Sequence, residues 1–364
     1  MRPVHIGGAC VGVLMIATAS AAQQPAATAE PSPTPASRII EYQYPSGVPT
    51  PLRRIQTRGT SDRRETVVET VEMPGLENRW QPYQESRTET LQVAPDIVRT
   101  TRDVFGFGPQ GQRVLRETTR SEQSGAEGRD TREVHATWVP DLDGRLDLSS
   151  RQIRNTKSIA SGTHQAVTTL LRPGINGALQ ESERTVSIDR QLSASVARRD
   201  ATQSIRDLNG GWQPVETRTV DARQIGPTEW LQEETIHRPD LSGNMTLSDR
   251  VVTRHSTANG RESLVTETYS QTEGLVRFDK RPALTQRVRS STTATADGGR
   301  ETVEEVEARS LVAAGDPLRV IRRSVVTVRR LGPARWSTER RVFEMDVNGR
   351  MAPVLVNTEE TVER

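Results

Sequence analysis

Apolar and polar residues alternate along most of this chain. Val134, Ala136 and Trp138 fall on one side of an extended segment, and Glu133, His135 and Thr137 on the other. Val186, Ile188 and Leu192 are interleaved in the same way with Thr185, Ser187, Asp189 and Gln191. A period of two is that of a half-buried strand. Thr, Val and Arg dominate these segments, and β-branched side chains suit a pleated surface. Nowhere do apolar residues recur at the three-to-four spacing of an amphipathic helix.

Turn signals cut the alternating segments at a fixed interval. Asp141-Leu142-Asp143-Gly144, Gly174-Ile175-Asn176-Gly177, Asp207-Leu208-Asn209-Gly210 and Asp240-Leu241-Ser242-Gly243 are versions of one tetrad, and their last glycines stand 33 residues apart. Gly111 extends the series upstream and Gly349 belongs to it downstream. Asn78-Arg79-Trp80-Gln81-Pro82 matches Gly210-Gly211-Trp212-Gln213-Pro214. A second turn falls near the middle of each unit, at Ser161-Gly162, Gly226-Pro227, Asn259-Gly260, Asp297-Gly298-Gly299 and Gly332-Pro333. Glycine supplies the positive φ that tight turns need, and Asn and Asp tolerate it.

Two turns per unit leave two strands per unit. Each unit is predicted to be a long β-hairpin, and the fold class all-β: a repetitive antiparallel β-hairpin meander of roughly twenty strands. The array forms a long twisted sheet, a sandwich or a superhelical shell. Regular hairpins are expected over 39–275 and less regular ones over 276–364. In the latter the register loosens over 276–317, and either an insertion of about six residues between Thr293 and Pro317 or a boundary between two sub-arrays accounts for the drift. Ankyrin repeats share the period but are helical and carry a Thr-Pro-Leu-His run, which this chain lacks. Gly111, Gly144, Gly177, Gly210, Gly243 and Gly349 are the structural turn residues. Two places after the turn glycine come Leu146, Leu179, Trp212, Met245 and Met351, with Trp80 equivalent: an apolar ladder for successive hairpins to bury.

The Asp141–Leu146 and Asp346–Met351 segments resemble the turn of the YD/RHS shell-forming repeats. The resemblance covers a few residues per unit, the tyrosine of that family is absent and the period here is longer. What is shared is hairpin chemistry rather than membership.

The ends read differently. Arg2 and His5, an apolar run from Ile6 to Ala17 and Ala19-Ser20-Ala21 make residues 1–21 a secretory signal peptide. Residues 22–38 are an Ala- and Pro-rich flexible linker. Cys10 is the only cysteine and lies inside the apolar run, so the mature chain carries no disulfide. Gly7, three places before it, is not the branched aliphatic residue that lipidation needs. The chain holds 49 basic and 47 acidic residues, interspersed, which argues against nucleic acid, a partner that needs clustered positive charge.

The residues that could carry chemistry do not gather into a motif. His135, His164, His237 and His255 are not at metal-ligand spacing, and each turn tetrad offers too few carboxylates for calcium. There is no nucleophile elbow, zinc helix or phosphate loop. No catalytic, cofactor or metal site is expected, and the chain is not expected to be an enzyme. Trp212 and Trp230 are candidate stacking residues for a sugar. The main expectation is an exported, non-catalytic structural, scaffold or adhesive protein, periplasmic or at the cell surface. It would meet a protein or a cell-wall polymer, with self-association through edge strands and the membrane an unlikely partner once the signal is cleaved. The alternatives are a carbohydrate- or wall-polymer-binding module using exposed Trp and an outer-membrane β-barrel, against which the arginines in nearly every strand speak.

Overall fold

The computed structural model describes residues 37–43, 50–75, 79–108, 110–125, 130–207, 209–271, 282–309, 317–333, 335–346 and 348–362. The predicted signal and nearly all of the linker lie outside them. The first ten strands are β1 (Ser37–Gln43), β2 (Thr50–Ser61), β3 (Arg64–Pro74), β4 (Trp80–Ala94), β5 (Ile97–Phe107), β6 (Arg113–Ser124), β7 (Thr131–Pro140), β8 (Leu146–Ala160), β9 (Thr163–Pro173) and β10 (Leu179–Ser193). The second ten are β11 (Val196–Arg206), β12 (Trp212–Gly226), β13 (Glu229–Pro239), β14 (Met245–Ala258), β15 (Arg261–Ser270), β16 (Ala283–Ala294), β17 (Arg300–Ala308), β18 (Arg319–Gly332), β19 (Arg335–Met345) and β20 (Met351–Val362).

Each strand pairs antiparallel with the next, and β20 pairs antiparallel with β1, from Arg38 opposite Glu360 to Gln43 opposite Leu355. The meander therefore closes into a barrel. Following paired residues once around the ring climbs about 20 residues along the strands, a stagger equal to the strand number. That tilts the strands by roughly 35° and, for a round section, sets a ring roughly 37 Å across its backbone.

The turns alternate between the two ends. At one rim the tetrads form five-residue turns: Gly144 N–H donates to Asp141 O at 3.1 Å and Asp141 N–H to Arg145 O at 2.8 Å, and the pattern repeats at Gly177, Gly210, Gly243 and Gly349. Gly111, Gly144, Gly177, Gly210, Gly243 and Gly349 have φ between +74° and +81°, the left-handed conformation that completes such a hairpin. At the other rim most connections are two residues long, Asn259-Gly260 among them, with φ of 52° and 73°.

Closure comes from bulges. The residue five places after each turn glycine (Arg116, Ser149, Ser182, Val215, Ser248, Val354) is skipped by the pairing. A second bulge precedes many of the short turns, at Val93, Ile159, Leu192, Ile225 and Leu331. Each bulge bends its strand and increases the local twist, and bends repeated at the same height curl a sheet into a ring. Leu192, read on the same side of the alternation as Val186 and Ile188, is one of these bulge residues and is exposed. The expected insertion between Thr293 and Pro317 is also corrected. Thr293 lies inside β16, and the added length is divided between the connections 271–282 and 309–318, both at the rim of the five-residue turns.

The wall is one sheet thick. Among the described residues no large side chain is fully buried. Gly299, buried immediately before β17, is a point where the backbone tolerates no side chain: a Cβ there would sit 2.0 Å from Val328 O. Gly299→Ala is expected to lower unfolding stability by about 3 kcal/mol, by splaying β17 from β18. Denaturant melts of the two proteins measure it.

Candidate functional site

A closed barrel has two surfaces, and the pairing registers assign every strand residue to one of them. Passing from β1 to β2 the registers climb in the direction β1 runs. With the right-handed tilt of barrel strands this fixes the side on which each next strand lies. Asp141 sends its N–H toward β8, so its side chain turns inward, and alternation carries the assignment around the ring. Glu133, His135 and Thr137 face the lumen, and Val134, Ala136 and Trp138 face outward. Crowding agrees with this. Ser86, Ala166, Ala197, Val220, Ala222, Glu234, Ile236, Ser324 and Val342, most of the buried residues, are on the inner face, where small side chains meet on the concave side.

The inner wall is polar. Over β8–β13 it forms a shallow recess of about 260 Å³, lined among others by Arg154, Thr185, Arg199, Glu216, Arg218 and Glu234. The lattice of charges there is continuous. Arg218 reaches Glu216 at 2.9 Å and Glu234 at 2.8 Å, Arg238 bonds Glu216 at 3.0 Å and Asp249 at 2.7 Å, and Ser248 Oγ donates to Asp249 at 2.8 Å. Arg218–Glu234, Arg238–Glu216 and Arg238–Asp249 lie directly or diagonally across adjacent strands, whereas Arg218–Glu216 and Ser248–Asp249 run along one strand. Arg199 pairs with Asp189, and Gln203 donates to Glu183 at 2.9 Å. Burial works to raise the pKa of Asp249, but hydrogen bonds from Ser270, Ser248 and Arg238 outweigh it and hold the carboxyl below its ordinary value. The sign follows from linkage. A depressed carboxylate stabilises the fold above the ordinary Asp range, and that contribution is lost as pH falls through it. Thermal midpoints are expected to drop as pH is lowered from about 5 to 2, and Asp249→Asn to flatten part of that slope.

The outer wall is no more apolar. Arg64–Glu89 at 2.6 Å, Arg99–Glu122 at 2.8 Å, Arg250–Glu233 at 2.7 Å and Arg287–Glu267 at 2.8 Å tie neighbouring outward side chains together. Among the described residues, an apolar band of about 25 Å, which a lipid-embedded barrel needs, is present on neither face. Exposed apolar side chains gather at the two rims: the bulge residues Val93, Ile159, Leu192, Ile225 and Leu331 at the rim of the short turns, and a column at the rim of the five-residue turns. Trp80, Leu146, Leu179, Trp212, Met245 and Met351, the apolar column of the sequence, all begin their strands there and all point outward. Arginines lie against the outward tryptophans of this rim, Arg53 5.0 Å from the centre of Trp80, Arg184 4.4 Å from Trp212, and Arg120 5.1 Å from Trp138 beside the column. The ladder thus forms part of an outer belt; hairpins do not stack face to face on it.

Trp212 and Trp230 do not come together. Trp212 opens β12 at the five-residue rim and faces outward, whereas Trp230 near the start of β13 faces inward at the opposite rim, beside Gln224 and His255. No shared stacking platform exists between them. Among the described residues no three His, Cys, Asp or Glu side chains gather where they could hold a metal ion.

No protein family and no curated protein matches the sequence. Solved structures similar in shape include the siderophore receptor PirA from Pseudomonas aeruginosa, at 8% identity over 90% of this chain and 80% of that one, with a TM-score of 0.44. OccAB4 from Acinetobacter baumannii matches at 9% identity over 90% of this chain and 96% of that one, with a TM-score of 0.47. A mutant porin of Rh. blastica matches at 7% identity over 90% of this chain and 98% of that one, with a TM-score of 0.38. The expected scaffold or adhesive role is corrected. Closure removes its premise, since a ring has no edge strands to offer a partner or a second copy. The outer-membrane-barrel alternative, which required a closed sheet, is the better supported. A closed ring no longer counts the membrane out as a partner, against the expectation that it is an unlikely one.

Proposed function

We propose that this chain is a cell-envelope β-barrel seated at the outer membrane, with a polar lumen that serves as an aqueous passage. The observation that carries the reading is the β1–β20 pairing, which turns a twenty-strand meander into a wall around charged and hydroxylated inner side chains. An even strand number, short turns at the rim of the termini and longer ones at the opposite rim accord with an envelope barrel. The signal-like leader supports export. The outer face sets the manner of seating. An arginine at the bilayer midplane costs about 2–4 kcal/mol, and the outward Arg–Glu lattice runs around the ring. The wall therefore stands in water, and membrane contact is made at a rim.

Cell fractionation tests this. The mature protein is expected to sediment with outer membranes and to be released by alkaline carbonate without detergent. Recovery wholly in the soluble periplasmic fraction overturns the seating, and carbonate resistance overturns the water-facing wall.

A further inference from the structure

The turn tips at the five-residue rim carry large apolar side chains that touch nothing. Leu142, Ile175 and Leu241 occupy the second position of their tetrads, and all three are fully exposed. Successive tips at this rim stand two strands apart, roughly 10 Å. Such side chains cannot bury one another, and they form an arc rather than the contiguous patch a protein partner covers. Directly behind them is the outward belt of Trp80, Leu146, Leu179, Trp212, Met245 and Met351. We propose that this rim is a lipid-binding crown: the tips enter the acyl boundary of a bilayer and the belt rests at the headgroups. The proposal rests on the membrane seating above and names the residues that perform it.

Two features fit the turns for a low-dielectric surface. Most of their backbone donors are satisfied from within. Asp141 Oδ1 accepts the N–H groups of Asp143 and Arg145 at 2.9 and 2.8 Å, Asp240 Oδ1 those of Ser242 and Asn244 at 2.8 and 2.9 Å, and Asn176 Oδ1 that of Ala178 at 3.2 Å. A turn whose donors are already used loses little on leaving water. Arginines stand at the same rim, among exposed carboxylates such as Asp143 and Asp147. The first Asp of a tetrad is held by its own turn, while Arg145, Arg172 and Arg350 flank the turns with exposed side chains. Such arginines reach headgroups as the apolar tips sink.

Flotation of the purified mature chain with vesicles of phosphatidylethanolamine and phosphatidylglycerol decides the matter. The wild type is expected to float. The triple variant Leu142→Ser, Ile175→Ser, Leu241→Ser is expected to lose at least about tenfold in partition coefficient, with unchanged circular dichroism and melting. Replacing the same three residues by Met is expected to keep binding. A Ser variant that floats like the wild type removes the crown and leaves the membrane seating standing by another surface. A wild type that stays in solution removes both. A wild type that does not float and sediments as a dimer, with a monomeric Ser variant, makes the rim a contact between copies and overturns the lipid assignment.

Discussion

Deleting β1, residues 37–43, is expected to abolish the monomeric barrel. β1 pairs over seven residues with β2 and over six with β20. Its loss leaves β2 and β20 as unpaired edges, each 12 residues long. Those edges cannot heal. In an antiparallel meander all even-numbered strands run the same way, so β2 and β20 could meet only as a parallel pair, whose bonds are slanted and whose register differs from any used in the barrel. Long bare edges recruit other chains. Size-exclusion chromatography is expected to show the full-length mature chain as one monomeric peak and the deleted chain as large oligomers. Deletion of the linker residues 22–36 alone is expected to leave the peak in place. A deleted chain that stays monomeric and melts like its parent would mean that the seam contributes nothing.

Arg218→Met is the largest single-residue effect expected in the lumen. Arg218 stands between Glu216 and Glu234, whose side chains are only 15% and 11% exposed. Removing the cation leaves two carboxylates facing each other at a crowded inner wall, with Arg238 compensating only Glu216. Breaking such a pair from one side costs about 2–3 kcal/mol at neutral pH, the uncompensated charge being the larger part. The deficit has a signature. Arg218→Met with Glu234→Gln recovers most of it at pH 7. Chemical denaturation of the single and double variants at pH 7 separates this from simple loss of packing, which the second substitution would leave unchanged.

The local structure was legible in the sequence, and the global shape was not. Alternation at Val134, Ala136 and Trp138 located the strands, and the glycine series located the rim turns, because both depend only on side-chain period and backbone handedness. Closure depends on the bulges. Arg116, Ser149, Ser182, Val215, Ser248 and Val354 share no chemistry that marks them as unpaired, so a skipped residue in each hairpin leaves no compositional trace. The β1–β20 seam joins residues more than three hundred positions apart, and nothing in the pattern around Arg38 or Glu360 announces a partner. The apolar column was visible, but Leu146 and Trp212 read as surfaces for hairpins to stack on, since sequence cannot tell a ladder inside a stack from a belt on a ring. Trp212 and Trp230 looked alike as sugar platforms; register places them on opposite faces and at opposite rims. The exposed tips Leu142, Ile175 and Leu241 were in plain sight within the tetrads, where the Asp and Gly beside them drew the reading toward turn chemistry alone.

Closure itself is tested by joining the first strand to the last. The mature chain has no cysteine of its own, so two paired substitutions can be read without background: Ile40→Cys with Thr358→Cys, and Glu41→Cys with Asn357→Cys, adjacent pairs across the β1–β20 seam. Antiparallel neighbours alternate between wide and close Cα spacing, so one of the two pairs has the close spacing a disulfide prefers. Mild oxidation of the folded protein is expected to give an intramolecular disulfide in at least one of them, seen as faster migration on non-reducing gels and absent when the protein is first unfolded. Folded protein in which both pairs stay reduced, or form disulfides only between separate molecules, would mean that the sheet is open and would contradict the barrel.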